Sequence, residues 1–120
     1  MDKSLTNAIR LIEVFRQIEP NMQLQTAATF LYIAQRDLKG DYPSLIKLGN
    51  DLASSNSTAS RNVLLLSETF VKDKSGHGLV ESFDDPMDRR KKVVRLTPKG
   101  HLFLDKIRGA VPSPVKPATS

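Results

Sequence analysis

The hydrophobic pattern of this 120-residue chain changes its period once, near Gly78. Before that glycine, apolar residues recur every three or four positions, which is the spacing of one face of an α-helix. After it, the period becomes that of a strand, in which residues 79, 81 and 83 alternate with 80 and 82, and residues 94 and 96 alternate with 93, 95 and 97. A helical pattern returns after Thr97, which is expected to be the N-cap of the last helix. This order predicts an α+β, mostly α fold, in which several helices precede one two-stranded β-hairpin and a final helix.

Four helices are expected before the change of period. The first covers about residues 5–17, and the second runs from about residue 22 to residue 38 with Asn21 as its N-cap. Ser44 is expected to cap a short third helix, and Ser55 to cap a fourth. Two short helices joined by about three turn residues are typical of a helix-turn-helix motif.

The chain is expected to form a single domain. That domain covers residues 1–109, and a proline-rich tail at 110–120 is expected to be disordered. Residues 1–40 form the N-terminal helices, which are candidates for dimer contacts. Residues 44–67 form the helix-turn-helix, and residues 78–97 form a β-hairpin that projects as a wing.

Positive charge is concentrated in one segment. The whole chain has a net charge of +5, yet residues 86–108 alone hold eight Lys and Arg against two Asp, a net charge of +6. This segment covers the expected hairpin tip, its returning strand and the last helix. A cationic patch attracts a polyanion by releasing condensed counterions. The alternative is a solvated surface on which charges cluster by chance.

Other function classes find little support. The absence of Cys excludes disulfides, thiolate catalysis and zinc ribbons, and the two His, 24 positions apart, do not make a zinc site. No Gly-rich phosphate-binding motif is present, so no enzyme activity, metal or cofactor is expected. The longest apolar runs, such as residues 63–66, are too short to span a membrane. With no signal-like N-terminus, we expect a cytoplasmic protein.

Two stretches carry a longer pattern. Residues 52–61 read LASSNSTASR, and residues 85–100 read DPMDRRKKVVRLTPKG, with Asp-x-Arg followed by Val-x-Leu-Thr-x-x-Gly. They resemble the turn with the start of the recognition helix, and the wing, of the multiple antibiotic resistance regulator (MarR) family of transcription factors. The resemblance implies a winged helix-turn-helix fold, a homodimer and double-stranded DNA as partner. Residues 68–78 are longer than the family's connection, so either the fourth helix continues or an extra loop lies near the DNA.

The early turns of the fourth helix supply candidate base contacts. B-DNA's major groove admits an α-helix whose N-terminal residues reach the base edges. Arg61 suits guanine, and Asn56 or Asn62 suits adenine. Thr58 suits a thymine methyl group, and Ser44 is placed to bind a phosphate. The alternative is that these side chains are caps and solvated surface. The predicted contacts in this part are Ser44, Asn56, Ser57, Thr58, Ser60, Arg61 and Asn62.

The wing supplies the remaining candidates. The resemblance puts Asp88 and Arg90 at the family's Asp-x-Arg pair. Arg90 would then enter the minor groove, where narrow A·T-rich stretches concentrate negative potential. Asp88 would orient it through a charge-assisted hydrogen bond. Arg89, Lys91 and Lys92 are expected to contact phosphates, which fix position without reading sequence.

These observations predict a sequence-specific, double-stranded DNA-binding transcriptional regulator, acting as a homodimer and most simply as a repressor. The alternative is a winged-helix module for protein interaction, replication or assembly that binds no operator. Single-strand binders interleave aromatic residues with cations, whereas residues 86–108 contain only Phe103. Many MarR-family members bind small aromatic ligands, so a small-molecule effector stays open but unidentified. Phe15, Phe30, Tyr32 and Phe103 are expected in the core or at the dimer interface.

Overall fold

The computed structural model describes residues 2–71 and 74–111. Over these residues the predicted α+β, mostly helical winged-helix architecture is confirmed. Among the described helices, none combines the length and apolar character needed to cross a bilayer. The elements in chain order are α1 (Lys3–Ile18), α2 (Leu24–Leu38), α3 (Leu45–Asp51), α4 (Asn56–Leu66), β1 (Thr69–Val71), β2 (Lys74–Ser75), β3 (Val80–Asp85), β4 (Asp88–Leu96) and α5 (Pro98–Ala110).

Helix starts follow the predicted caps at Ser44, Ser55 and Thr97 and depart from the prediction at Asn21. The side-chain oxygens of Ser44 and Ser55 accept backbone N–H groups from the first turns of α3 and α4, as predicted. Asn21 does not cap α2, which begins at Leu24 after Gln23. The reason is a backbone turn in which the N–H of Met22 donates to the carbonyl of Glu19, so Asn21 is used as a turn residue.

Three phenylalanines form the centre of the core. Phe15 of α1, Phe30 of α2 and Phe103 of α5 are all buried. Their rings meet edge to face, with centroids 5.2–6.0 Å apart, an arrangement that aromatic quadrupoles favour. The cluster therefore joins the first, second and last helices. The sequence predicts these rings in the core or at a dimer interface, and the structure places all three in the core.

The turn at the tip of the wing is shorter than the sequence predicts. The strand-like spacing of residues 79–83 and 93–97 predicts a polar loop over residues 84–92, but β4 begins at Asp88, opposite Asp85, leaving only Pro86 and Met87 in the turn. The register shifts between the pairs Asp84↔Lys92 and Asp85↔Asp88, so residues 89–91 of β4 lie between these two pairs. The four consecutive cations of residues 89–92 lie on β4. Because this part of the strand is exposed on both faces, it lacks the apolar alternation that identifies a strand.

The connection after α4 contains a second, smaller hairpin. The helix ends at Leu66 and does not continue through Phe70 and Val71, so that alternative is wrong. Instead β1 and β2 pair antiparallel, with Thr69 opposite Ser75. The predicted disordered tail lies outside the described residues from residue 112 onward, whereas Ala110 still belongs to α5.

The glycine of the Val-x-Leu-Thr-x-x-Gly pattern has a steric role. Thr97 caps α5, Pro98 occupies its first turn, and Gly100 is buried against the backbone of Leu79, the residue before β3. A Cβ atom on Gly100 would overlap the carbonyl oxygen of Leu79, so only glycine fits without a backbone shift.

We expect Gly100→Ala to lower the free energy of unfolding by about 1–3 kcal/mol, the usual cost of overpacking. The matched control is Gly109→Ala on the same helix, where nothing lies within 4 Å of the added Cβ. That variant should be neutral or up to about 1 kcal/mol more stable, because alanine favours a helix over glycine. Urea unfolding of both variants measures the difference, and equal stabilities would contradict the close contact.

Candidate nucleic-acid interface

The helix-turn-helix depends on a close approach between α3 and α4. A Cβ atom on Gly49 would lie 3.2 Å from the carbonyl oxygen of Ser54 and 3.6 Å from the Cβ of Ala59. The turn between the helices contains Ala53 with φ of 53°, a left-handed conformation that reverses the chain in few residues. Glycine on α3 and alanine on α4 thus let the two helices pack with little space between them.

One edge of α4 is polar and exposed. Ala59, Val63 and Leu66 face the core, as predicted. Asn56 is exposed at the start of the helix, and Arg61 is exposed in its middle. Of the remaining predicted contacts on this helix, the exposed one is Ser57, and the half-buried ones are Thr58 and Ser60.

Thr58 is partly committed to the helix start. Its hydroxyl lies 2.9 Å from the hydroxyl of Ser55, which also accepts the backbone N–H of Thr58 at 3.1 Å. The methyl group of Thr58 takes no part in this hydroxyl pair and is the part of the side chain that could contact a thymine methyl group. Ser55 acts as a cap, as the sequence predicts.

Asn62 does not belong to the exposed edge. Its side chain is 3% exposed, and its Oδ1 accepts a 2.8 Å hydrogen bond from the hydroxyl of Thr26 on α2. The prediction that Asn62 contacts adenine is therefore wrong. The helical spacing 59, 62, 63 and 66 places it on the core face, and that spacing is the signal that could have revealed its burial.

We expect Asn62→Ala to lower the free energy of unfolding by about 1–3 kcal/mol, because it leaves the buried Thr26 hydroxyl without its acceptor. The double variant Thr26→Val with Asn62→Leu should recover much of that loss, since neither side chain then needs a partner. Asn50→Ala, an exposed change on α3, serves as control. Urea unfolding measures all three, and equal effects of the two Asn→Ala changes would contradict the buried role.

The base of the wing is attached to the start of α3. Ser44 forms an isolated antiparallel bridge with Val93 of β4, and the N–H of Val94 donates to the carbonyl of Pro43 at 3.0 Å. Tyr42 packs edge to face on Phe83 of β3, with ring centroids 5.5 Å apart. Backbone and aromatic contacts together hold the wing against the helix-turn-helix.

A groove of about 340 Å³ runs between α3 and the wing. Lys47 lines it from the helix and Lys91 from β4, so cations of two elements meet in one concave surface, which Ile46 and the carboxylate of Asp51 also line. The predicted phosphate contact Ser44 also lines this groove, next to Asn50. Sequence reasoning missed Lys47 and Asn50, although their spacing on the polar side of α3 could have identified them.

Lys47 is held in place by a cluster of charged groups. Its Nζ lies 3.1 Å from Asp51 Oδ2, and the same carboxylate accepts from the hydroxyl of Tyr32 and lies 3.5 Å from the guanidinium of Arg36. Burial and the hydrogen bond to Asp51 raise the pKa of the Tyr32 hydroxyl. That hydrogen bond and the one from Lys47 lower the pKa of Asp51. The ionised carboxylate therefore links α2 to the end of α3.

The wing tip orients its arginine. Asp88 Oδ1 accepts the backbone N–H of Arg90 at 3.1 Å and its Nε–H at 3.3 Å, which is the orienting contact that the resemblance implies. Arg89 and Lys91 are exposed. Lys92 is also exposed and pairs across the strands with Asp84 at 2.7 Å.

The two histidines each meet an acidic side chain from another element. His77 lies between two glycines, a context that predicts an exposed side chain, but the side chain is half-buried and its Nε2 lies 2.8 Å from Glu19 Oε1. His101 Nε2 lies 3.4 Å from Asp37 Oδ1. Within the described ranges, no three His, Cys, Asp or Glu are grouped in a way that could hold a metal ion.

Comparisons with known proteins identify the class of fold. No protein-family model and no curated protein sequence matches this chain. Solved structures do match, and they define the winged helix-turn-helix architecture of MarR-type transcriptional regulators. The resemblance carried by the two sequence motifs is thus confirmed for the fold.

Three particular structures illustrate the match. The S. aureus MepR–DNA complex superposes with a TM-score of 0.67 at 16% identity, covering 86% of this chain and 73% of MepR. The regulator Tm0710 from Thermotoga maritima gives a TM-score of 0.66 at 19% identity, covering 89% and 66%. MarR gives 0.60 at 18% identity, covering 90% and 67%. At these identities the similarity shows a shared fold.

Proposed function

We propose that this protein is a transcriptional regulator that binds specific sequences in double-stranded DNA as a homodimer. The observation that carries the proposal is the exposed polar edge of α4. This helix packs on α3, and Lys47 of α3 lines one groove with Lys91 of the wing. Helix, groove and wing thus form connected parts of one candidate surface. The DNA complex of MepR, which has the same fold, supports it.

The major-groove part of this surface is α4. Its N-terminal turns carry short polar side chains, so the helix backbone can approach the base edges closely. Asn56 and Arg61 have the donors and acceptors that read adenine and guanine. Ser57, Thr58 and Ser60 are short enough to contact bases or nearby phosphates. Asn62 is excluded by its burial.

The minor-groove part is the wing. Arg90, oriented by Asp88, is the side chain proposed to enter the groove, where guanidinium groups are attracted by the negative potential of narrow stretches. Arg89, Lys91 and Lys92 are proposed to contact phosphates on either side. Lys47 and Ser44 extend this row of phosphate contacts along the groove beside α3.

The proposed dimer interface lies on α1. Leu5, Ile9 and Ile12 are 64%, 61% and 47% exposed and follow one another at helical spacing, which makes an apolar stripe on the protein surface. Leu102 of α5, a helix packed on α1, is exposed as well. A two-fold symmetric contact through this stripe would bury it and present two copies of α4 to adjacent major grooves.

Repression by occluding a promoter is the simplest consequence of such binding, because a dimer on two half-sites covers the DNA that polymerase needs. A small-molecule effector also remains a prediction for this chain. Its support is that MepR has been solved with ethidium bound, and that an apolar groove of about 270 Å³ lies between Ile18 and Phe103.

We expect Arg61→Ala and Lys91→Ala to weaken DNA binding in different ways. The Arg61 change should relax preference at one base pair by about 1–3 kcal/mol, because a bidentate base contact is lost. The Lys91 change should weaken binding to every duplex and lower the slope of log K against log salt by about 0.9, because one phosphate contact is lost. Fluorescence anisotropy titrations on selected and scrambled duplexes at several salt concentrations separate the two effects.

The matched control is Arg10→Ala, which removes an exposed charge from α1, away from the apolar stripe. It should change neither preference nor salt slope beyond the small effect of net charge. An Arg61 variant that lost affinity equally for all duplexes would contradict the base-reading role of α4.

We expect Ile9→Lys to convert the dimer to a monomer and to abolish tight binding to a two-half-site duplex, because a buried unpaired charge opposes association. Leu38→Lys, which alters an exposed leucine on α2, should leave the dimer intact. Analytical ultracentrifugation gives the oligomeric state, and circular dichroism checks folding. A dimer that survives Ile9→Lys would place the interface elsewhere.

A further inference from the structure

The tip of the wing is apolar. The turn between β3 and β4 consists of Pro86 and Met87, and Met87 is 92% exposed. Among the side chains outside residues 69–75 whose exposure the structure describes, no other large apolar one is exposed as fully. Asp88 follows the turn and begins β4, and the next four residues of that strand, 89–92, are all cations.

Hydrogen bonds hold this tip from both strands. Asp85 Oδ1 accepts the backbone N–H of Met87 at 2.9 Å, which shapes the turn. On the other strand, Asp88 Oδ1 accepts both the backbone N–H and the Nε–H of Arg90, at 3.1 and 3.3 Å. The second contact turns the Arg90 side chain back toward the tip. The thioether of Met87 and the guanidinium of Arg90 therefore belong to the same end of the wing.

The width of the minor groove selects which wing residues can enter it. The groove of B-DNA is about 6 Å wide. The two backbones of a β-hairpin are already about 4.8 Å apart before side chains are added. The paired strands therefore stay outside the groove, and only the side chains of the turn and its nearest neighbours reach the floor. In this protein the turn supplies Pro86 and Met87. Its neighbours Asp85 and Asp88 accept the hydrogen bonds that shape the tip, and Asp88 holds the guanidinium of Arg90 beside it.

We propose that Met87 is an apolar wedge that the wing inserts into the minor groove beside Arg90, at a pyrimidine–purine step, and that it bends the duplex. The inference rests on the DNA-binding function proposed above and adds a preference for DNA shape. Apolar side chains, Met and Pro among them, act as such wedges in proteins that kink DNA from the minor groove by about 20–90°. Pyrimidine–purine steps unstack most easily. An unbranched thioether adapts to the gap that opens.

The experiment begins with selection of bound duplexes from a random-sequence library by the full chain. The variants are Met87→Gln, which keeps the length and adds polarity, and Met87→Leu, which keeps the apolar character. We expect wild type and Met87→Leu to enrich TA or CA steps at the wing positions. Met87→Gln should enrich the same α4 half-sites without those steps.

Fluorescence resonance energy transfer between the ends of a selected duplex then measures bending. Wild type and Met87→Leu should bend it by at least about 20°, and Met87→Gln by less than half of the wild-type angle. Replacing the TA step by AA should weaken wild-type binding several-fold and leave Met87→Gln binding unchanged, a coupling that a merely structural change would not produce.

The outcomes separate the two proposals. Equal bending and equal step preference for wild type and Met87→Gln would overturn the wedge and make Met87 a solvated turn residue, while the regulator function would stand. A wild-type protein that enriches no duplex sequence would overturn the function and the wedge together.

Discussion

The candidate DNA-binding surface depends on how closely α3 approaches α4. Because Gly49 has no side chain and that of Ala59 is a single methyl group, α3 packs closely against the buried side of α4. Because α3 is also bridged to β4 through Ser44 and Val93, the same short helix sets the position of the wing. A larger residue at Gly49 would displace α4 from α3, and the groove beside Lys47 would change shape with it.

Polar contacts refine this packing. The Thr26–Asn62 hydrogen bond has direction, so it restricts the rotation of α4 about its axis more than apolar contacts alone can. At the other end of α3, Asp51 gathers Tyr32, Arg36 and Lys47 around one carboxylate. The Thr26–Asn62 hydrogen bond helps to fix which side of α4 is exposed, and the contacts of Asp51 hold Lys47 beside the wing. In both cases a polar group on α2 positions an element that is proposed to contact DNA.

The elements that could be predicted from sequence are those whose cause is local. Ser44, Ser55 and Thr97 cap helices because a hydroxyl one position before a helix can reach the free N–H groups of its first turn. The predicted cap at Asn21 is wrong because this residue belongs to the turn of residues 19–22, which contains Pro20, and α2 begins only after Gln23. The strand at residues 88–92 was missed because its side chains are polar on both faces, and a hydropathy pattern cannot show pairing with a partner strand.

The division of the site between sequence and tertiary structure follows from the range of the forces involved. The sequence by itself determined the order of the five helices and the wing, the caps at Ser44, Ser55 and Thr97, and the cationic character of the wing, because each depends on residues a few positions apart. The resemblance of its wing motif added the contact between Asp88 and Arg90. Only the tertiary structure decided that Asn62 is buried, that Lys47 and Lys91 share a groove, and that Met87 stands at the tip of a two-residue turn. Burial and juxtaposition come from contacts between residues distant in the chain, and the packing of the whole fold selects them.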